Sequence, residues 1–123
     1  MPGPLVGRLI LVVEDEPLVA LDVLRGLEAA GARVISARTL VDALTKAGDP
    51  DLSAAVLDHG LIEGDTSEVC EKLEERGIPF VLYSGYSKIE GACAAGVQVD
   101  KPTHPRVLVT TIEGLLKGRP IAN

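Results

Sequence analysis

Short aliphatic runs alternate along the chain with segments whose apolar residues recur at helical spacing. The aliphatic runs are short enough for buried strands and predict five of them, at 9–13, 33–36, 54–57, 79–83 and 97–99. The helical spacing predicts five helices, which include residues 20–27, 40–47, 69–73, 87–95 and 108–115. Strict alternation of strands and helices predicts an α/β fold with a parallel sheet and helices on both of its faces.

Proline, glycine and threonine mark the ends of several predicted helices. Pro17 opens the first helix near its first turn, and Gly31 ends it. Gly77 ends the third helix, and Thr103 is expected to cap the last one. The helix predicted over residues 87–95 is short and weakly patterned.

The length of the chain, 123 residues, indicates one domain that can bury a core of its own. We predict a loose Pro/Gly-rich leader over residues 1–7, a domain over 8–117 and a tail over 118–123. No internal repeat beyond the strand–helix alternation and no linker divides the domain.

The aromatic content narrows the composition of that core. The chain has three aromatic residues, Phe80, Tyr83 and Tyr86. The core must therefore be built from Val, Leu, Ile and Ala, which suits parallel strands covered on both faces. The composition argues against an antibody-like sandwich and against RNA binding by aromatic stacking.

Charge and cysteine content exclude further classes. A net charge of −6 without a basic stripe makes nucleic-acid binding unexpected. No apolar run approaches the roughly 18 residues of a membrane span, and the start does not resemble a signal peptide. Cys70 and Cys93 lack metal-type spacing, so we predict two reduced, structural thiols in a cytoplasmic protein.

Polar residues follow four of the five predicted strands. These are Glu14 and Asp15 after the first, Asp58 after the third, Ser84 after the fourth and Lys101 after the fifth. In open parallel sheets, functional groups lie outside the carboxyl ends of the strands. Clustered carboxylates repel one another unless a hard cation such as Mg²⁺ neutralises them. A carboxylate can also attack phosphorus, and a lysine and a hydroxyl can then contact the phosphoryl oxygens.

Each of these residues also has an ordinary structural interpretation. Glu14 and Asp15 could be helix-start acids, Asp58 a strand-end cap, Lys101 a solvated lysine and Ser84 part of a turn. Their arrival together at four strand ends favours the functional interpretation. His59 and His104 are interpreted as a solvent-facing loop residue and a residue of the last helix's first turn.

Four stretches, LILVVEDEP, AAVLDHGL, PFVLYSGY and DKP, resemble the receiver domain of two-component response regulators, over roughly residues 8–117. The resemblance implies a flavodoxin-like, doubly wound five-stranded parallel sheet of order 2-1-3-4-5 with five helices. It implies that Asp58 accepts a phosphoryl group from a histidine kinase. Ser84 and Lys101 match the family's phosphate-sensing hydroxyl and lysine.

The same resemblance implies a magnesium site. Its ligands would be Glu14, Asp15, Asp58 and the main-chain carbonyl of Gly60. The loop after Asp58 departs from the family, because Ile62 stands where a proline is usual.

Other departures from the family concern its aromatic positions. Gln98 stands where an aromatic switch residue is usual, whereas Tyr86 follows Ser84 at a position that tunes dephosphorylation in the family. We therefore expect any aromatic signalling to involve Tyr83 or Tyr86. The run from Phe80 to Tyr86 also resembles the FATGUY subclass of stand-alone receivers, which is associated with HWE/HisKA2-type kinases.

The function expected from these features is that of a single-domain response regulator. It would receive the phosphoryl group from a histidine kinase or a phosphotransfer protein, and would signal by contact with a downstream protein or act as a phosphate sink. It would not be an enzyme, apart from slow self-dephosphorylation. The alternative is a phosphorylation-independent binding module, which Gln98 motivates. A dehalogenase-type phosphatase would need an acid where Gly60 stands.

Overall fold

The computed structural model describes residues 3–58, 66–84, 91–100 and 104–120, in which strands and helices alternate. The strands are Leu9–Val13 (β1), Arg33–Ala37 (β2), Leu52–Asp58 (β3), Phe80–Ser84 (β4) and Val97–Asp100 (β5). The α-helices are Pro17–Ala29 (α1), Leu40–Lys46 (α2), Ser67–Glu75 (α3) and Pro105–Leu116 (α4). A 3-10 helix, Gly91–Ala95, lies between β4 and β5 and is called the 91–95 turn below.

The five strands form one parallel sheet in the order β2-β1-β3-β4-β5, which confirms the expected topology. Neighbouring strands end nearly in register at their carboxyl ends. Asp58 of β3 lies opposite Tyr83, and Ser84 of β4 lies opposite Asp100. The sheet therefore brings the polar strand ends to one edge, as the sequence predicts.

Alternate residues of the central strands supply two separate core layers. Leu9, Leu11 and Val13 of β1 pack on the face covered by α2 and α3. Ile10 and Val12 pack on the opposite face, which α1 and α4 cover. All five residues of β1 are buried, because a parallel strand between two helical layers meets apolar side chains on both sides. The core is aliphatic, as the composition predicts.

The prediction of a fourth α-helix over residues 87–95 is wrong for residues 91–95, which the structure describes. Residues 91–95 form the 3-10 turn, and residues 85–90 lie outside the described residues, so the described chain has four α-helices and not five. Gly91 has φ +69°, a conformation that disfavours an α-helix. Cys93 is the only buried residue of the turn, so the segment lacks the apolar face that stabilises a surface helix.

The cap of the last helix also differs from the prediction. Pro105 occupies the first turn of α4, which makes His104 and not Thr103 the N-cap residue. The Nδ1 atom of His104 accepts a hydrogen bond from the backbone N–H of Arg106 at 3.0 Å. Thr103 itself lies outside the described residues.

Part of the predicted leader packs against the domain. Leu5 is fully buried with the α1 and α4 residues, and its backbone N–H donates to the carbonyl of Ala30 at 2.8 Å. The chain from residue 3 onward is therefore held at the end of α1 and is not a loose segment.

The two cysteines form a disulfide, so the prediction of reduced thiols is wrong for this structure. Cys70 lies on α3 and Cys93 on the 91–95 turn, with their Cα atoms 5.0 Å apart. Their separation of 23 residues carries no spacing signal, because the fold and not the local sequence brings them together.

Two helical glycines lead to opposite predictions for stability. A Cβ at Gly26 of α1 would lie 2.7 Å from the Cβ of Pro105, whereas a Cβ at Gly114 of α4 would meet no atom within 4 Å. We expect Gly26→Ala to lower the free energy of unfolding by about 1–3 kcal/mol, because α1 and α4 must separate. We expect Gly114→Ala to raise it by up to about 1 kcal/mol, because alanine restricts the unfolded chain. Urea denaturation of both variants would measure the difference, and a stabilising Gly26→Ala would contradict the close contact between the helices.

Candidate functional site

Three carboxylates meet at the carboxyl edge of the sheet. Glu14 and Asp15 directly follow β1, and Asp58 ends the neighbouring strand β3. One carboxylate oxygen of each residue lies within 4.8 Å of those of the other two. Glu14 and Asp58 are 4% and 5% exposed, and Asp15 is half-buried. The structure therefore brings together the three acidic residues that the sequence singled out.

The backbone around Glu14 explains how the acids are held. The N–H of Glu14 donates to the carbonyl of Ala37 at 3.0 Å, which continues the β1–β2 pairing one residue beyond the strand. Pro17 then starts α1 at once, with Glu16 as an N-cap residue whose side chain makes no capping bond. Because strand pairing and the proline confine both sides of this short connection, Glu14 and Asp15 are positioned with little freedom.

The chemistry of this cluster fits a hard divalent cation. Two unit charges 4.8 Å apart repel by about 3 kcal/mol at an effective dielectric constant of 20. Burial of two of the three acids reduces the screening of this repulsion by water. A cation such as Mg²⁺ prefers carboxylate oxygens and retains some of its own water. Glu14, Asp15 and Asp58 can thus hold such an ion, and the half-buried Asp15 leaves one side of the cluster open to solvent.

The fourth and fifth strands bring a further part of the site to this edge. The backbone of Ser84 ends β4 and pairs with Asp100, the last residue of β5. Lys101 follows Asp100 in the chain and lies, with Gly60, outside the described residues. Tyr86, His59 and Ile62 lie outside them as well.

The side chains of Tyr83 and Gln98 have different surroundings. Tyr83 is 8% exposed and packs in the core layer under α1 and α4. Gln98 is exposed on the edge strand β5, and its amide Nε2 lies 3.4 Å from Oδ1 of Asp100. The position that is usually aromatic in the family that the sequence resembles is therefore polar and open to solvent here.

A small apolar cavity lies beside the acids and was not anticipated from the sequence. Its volume is 240 Å³, and its lining consists of Glu14, Pro17, Ala20, Leu21, Leu24, Ser36 and Arg38. The sequence indicates no functional residue after the second strand, yet Arg38 brings a cation to the cavity that Glu14 also lines. The position of Arg38 could have indicated its proximity to the site, because it directly follows the end of β2 as Glu14 follows the end of β1.

Neutralising Asp15 provides a test of the cluster. We expect Asp15→Asn to raise the unfolding temperature in metal-free buffer, because it removes like-charge repulsion with Glu14 and Asp58. We expect the same variant to bind Mg²⁺ at least about tenfold more weakly, because one anionic oxygen is lost. Titration calorimetry and thermal unfolding with and without Mg²⁺ would measure both effects. Glu16→Gln is the matched control, since Glu16 is an exposed neighbouring acid outside the cluster. Unchanged Mg²⁺ affinity in Asp15→Asn would remove Asp15 from the ligand set.

Solved structures resemble this chain over most of its length. SdrG from Pseudomonas melonis Fr1, in its BeF3-activated conformation, is 32% identical, with a TM-score of 0.71 over 88% of this chain and 95% of that one. A CheY-like response regulator receiver domain protein from Methanospirillum hungatei JF-1 is 26% identical, with a TM-score of 0.78 over 89% and 94%. The receiver domain of the sensor histidine kinase PA1611 from Pseudomonas aeruginosa PAO1 is 21% identical, with a TM-score of 0.78 over 91% and 99%.

Comparisons of other kinds add no relative. No protein-family model matches the chain, and no curated protein sequence matches it. Within the described ranges, every helix is too short or too polar to cross a membrane.

Proposed function

The chain belongs to the receiver domains of two-component response regulators, and on this premise we propose that it accepts a phosphoryl group on Asp58. The observation that carries the proposal is the cluster of three carboxylates at the carboxyl edge of the sheet, with Asp58 buried at the end of the central strand β3. A buried carboxylate beside a cation site is a nucleophile placed where the charge of an incoming phosphoryl group can be balanced.

We assign the cation-binding role to Glu14, Asp15 and Asp58, together with the carbonyl of Gly60. The PA1611 receiver domain holds a magnesium ion in its active-site cleft, which supports the same ion for this chain. When bound, the ion would offset negative charge on the phosphoryl oxygens. The backbone hydrogen bond from Glu14 to Ala37 would hold the Glu14 carboxylate at the ion, and the half-buried Asp15 would contribute its carboxylate from the solvent side.

The transfer itself requires a donor that carries a phosphorylated histidine. An oxygen of the Asp58 carboxylate forms a bond to phosphorus, the P–N bond of the donor breaks, and its electron pair returns to the imidazole, which takes up a proton. The product is an acyl phosphate on Asp58. The Ser84 hydroxyl and the Lys101 ammonium would contact the new phosphoryl oxygens, since the chain places both residues after neighbouring strands.

The output of the phosphorylated chain would be a contact with a downstream protein or the draining of phosphoryl groups from a shared kinase. The family receives phosphoryl groups from histidine kinases or phosphotransfer proteins. We propose a kinase of the HWE/HisKA2 type for this chain, a cytoplasmic location, and no catalysis beyond slow self-dephosphorylation. The FATGUY-like run from Phe80 to Tyr86 supports this assignment.

A second function is favoured by one observation. Gln98 is exposed and contacts Asp100, so β5 lacks the aromatic side chain that usually responds to phosphorylation in the family. On this alternative, the chain is a binding module whose partner contact does not depend on the phosphoryl group.

Incubation with a small acyl phosphate in the presence of Mg²⁺ tests the proposed function. We expect intact-mass spectrometry to show a gain of one phosphoryl group, and reduction with borohydride to locate the acyl phosphate at Asp58. A chelator should prevent the gain, since the charge on the incoming group would no longer be balanced. A chain that gains no phosphoryl group in Mg²⁺ from this donor or from a panel of kinases would favour the binding module.

A further inference from the structure

The disulfide joins an element that follows Asp58 in the chain to one that precedes β5. Cys70 lies on α3, which follows Asp58 among the described helices, and Cys93 lies on the 91–95 turn between β4 and β5. Cys70 is fully buried and Cys93 is 2% exposed. The bond therefore connects the segment that follows the third strand with the segment that precedes the fifth strand.

A buried hydroxyl lies beside one of the two sulfur atoms. Thr66 is the N-cap residue of α3, yet its side chain makes no capping hydrogen bond. Its Oγ1 atom lies instead 3.6 Å from Sγ of Cys93, and the residue is 4% exposed. Because a disulfide sulfur carries no hydrogen, the hydroxyl is the donor in this contact. After reduction, the same hydroxyl could donate to the Cys93 thiolate and favour its formation.

Among the described residues, the 91–95 turn packs mainly against α3, through Cys93 and the half-buried Ala92. Cys93 is its only buried residue, Ala92 is half-buried, and Gly91, Ala94 and Ala95 are exposed. The strand that follows, β5, is an edge strand that pairs with β4 alone. In contrast, Cys70 belongs to a helix whose Val69 and Leu73 are fixed in the core. Because α3 has three buried residues and the turn has one, we expect the turn rather than α3 to move if the bond opens.

The fold does not require the disulfide for its core. Two layers of aliphatic side chains cover the sheet, and a domain of this length buries enough surface to fold without a covalent link. In reducing compartments, a disulfide in such a domain is usually transient and regulatory. A bond that links a surface turn with one buried residue to a core helix has the features of such a device.

We propose that Cys70 and Cys93 form a reversible dithiol–disulfide pair, in which Cys93 is the exchanging sulfur, and that its oxidation fixes the 91–95 turn against α3. Reduction releases the turn while the rest of the domain stays folded. Thr66 is a positioning residue whose hydroxyl donates a hydrogen bond to the Cys93 thiolate and stabilises it.

The oxidant in this proposal is a small-molecule disulfide such as glutathione disulfide. The Cys93 thiolate attacks one of its sulfur atoms, a new S–S bond forms, and one glutathione thiolate leaves. The Cys70 thiolate then attacks the Cys93 sulfur, and the second glutathione thiolate leaves. Two protein thiols are oxidised, one disulfide is reduced to two thiols, and the protons of the protein thiols pass to the leaving thiolates.

The experiment equilibrates the whole chain in glutathione redox buffers and measures the state of the cysteines by alkylation and mass spectrometry. We expect reversible conversion between dithiol and disulfide, with the circular dichroism of a folded protein in both states. Hydrogen exchange of residues 91–96 should become at least about tenfold faster after reduction, whereas β1 and β3 should keep their protection.

Three variants serve as controls. Cys70→Ala/Cys93→Ala should show fast exchange at residues 91–96 in every redox buffer. Thr66→Val should slow the formation of the disulfide several-fold without changing the fold. Thr66→Ser should restore the rate, because it keeps the hydroxyl that lies beside the sulfur.

Several results would overturn the proposal. One is that the cysteines stay reduced in oxidising buffer, and another is that the disulfide is reduced only when the whole chain unfolds. A third is equal hydrogen exchange of residues 91–96 in the dithiol and disulfide states. A Thr66→Val variant that oxidises at the normal rate would remove Thr66 from the device.

The link to signalling rests on the proposed function. Because the turn connects the strands that lead to Ser84 and Lys101, we expect the acyl phosphate on Asp58 to have a lifetime that differs at least about threefold between the two redox states. Equal lifetimes would overturn this coupling. A chain that takes up no phosphoryl group would count against the proposed function, while the exchange measurements would still decide the redox pair.

Discussion

Asp58→Asn is expected to reduce phosphoryl labelling of the chain by at least about a hundredfold. An amide oxygen is a far weaker nucleophile toward phosphorus than a carboxylate oxygen, and the side chain of residue 58 is buried at the end of the central strand. Asparagine keeps the size and shape of the original side chain, so the loss would reflect chemistry. Intact-mass spectrometry after incubation with a small acyl phosphate and Mg²⁺ measures the labelling.

Asp22→Asn is the matched control for this variant, because Asp22 is an exposed residue of α1 outside the carboxylate cluster. It should be labelled like the unaltered chain. The fold of Asp58→Asn should be unchanged by circular dichroism. Labelling that persists in Asp58→Asn and is located on Glu14 or Asp15 would show that another carboxylate of the cluster is the acceptor.

Leu57→Ala is expected to lower the free energy of unfolding by about 2–5 kcal/mol. Leu57 lies on β3 directly before Asp58, has no exposed surface, and packs in the layer that α2 and α3 cover. Removal of its outer carbon atoms loses apolar burial and leaves a cavity that a central strand cannot close. Because domains of this size are stable by only about 5–15 kcal/mol, the variant should unfold at a clearly lower urea concentration.

The same substitution at an exposed site separates burial from residue type. Leu18 on α1 is 75% exposed, so we expect Leu18→Ala to change the free energy of unfolding by no more than about 0.5 kcal/mol. Urea denaturation followed by circular dichroism measures both variants. Similar losses in Leu57→Ala and Leu18→Ala would mean that the core layer under α2 and α3 is not packed as described.

The carboxylate cluster was predictable because it depends on strand order and on strand ends. Glu14, Asp15 and Asp58 each follow an aliphatic run, and parallel neighbouring strands present their carboxyl ends at one edge. Their approach to within 4.8 Å confirms that they meet. The cavity beside Glu14 was not predictable, since it depends on how α1 packs beside β2.

The last helix and the segment before β5 show where local signals failed. A threonine before a helical pattern is a common cap, but Pro105 sets the helix start and makes His104 the cap. Residues 87–95 are rich in small residues, and their weak helical pattern could not be distinguished from a 3-10 turn. The choice of cap residue and the choice between an α-helix and a 3-10 turn each depend on one or two residues. A periodic pattern of apolar residues does not distinguish such local alternatives.

The sequence by itself determined the order of the five strands and of the helices outside residues 87–95, the aliphatic character of the core and the identity of the acidic strand ends. These features follow from local periodicity, which reflects whether each side chain meets protein or water. Tertiary structure alone decided the Cys70–Cys93 disulfide, the contact between Thr66 and Cys93, and the burial of Leu5. Each of these depends on the distance between residues far apart in the chain, and that distance is set by the packing of helices on the sheet.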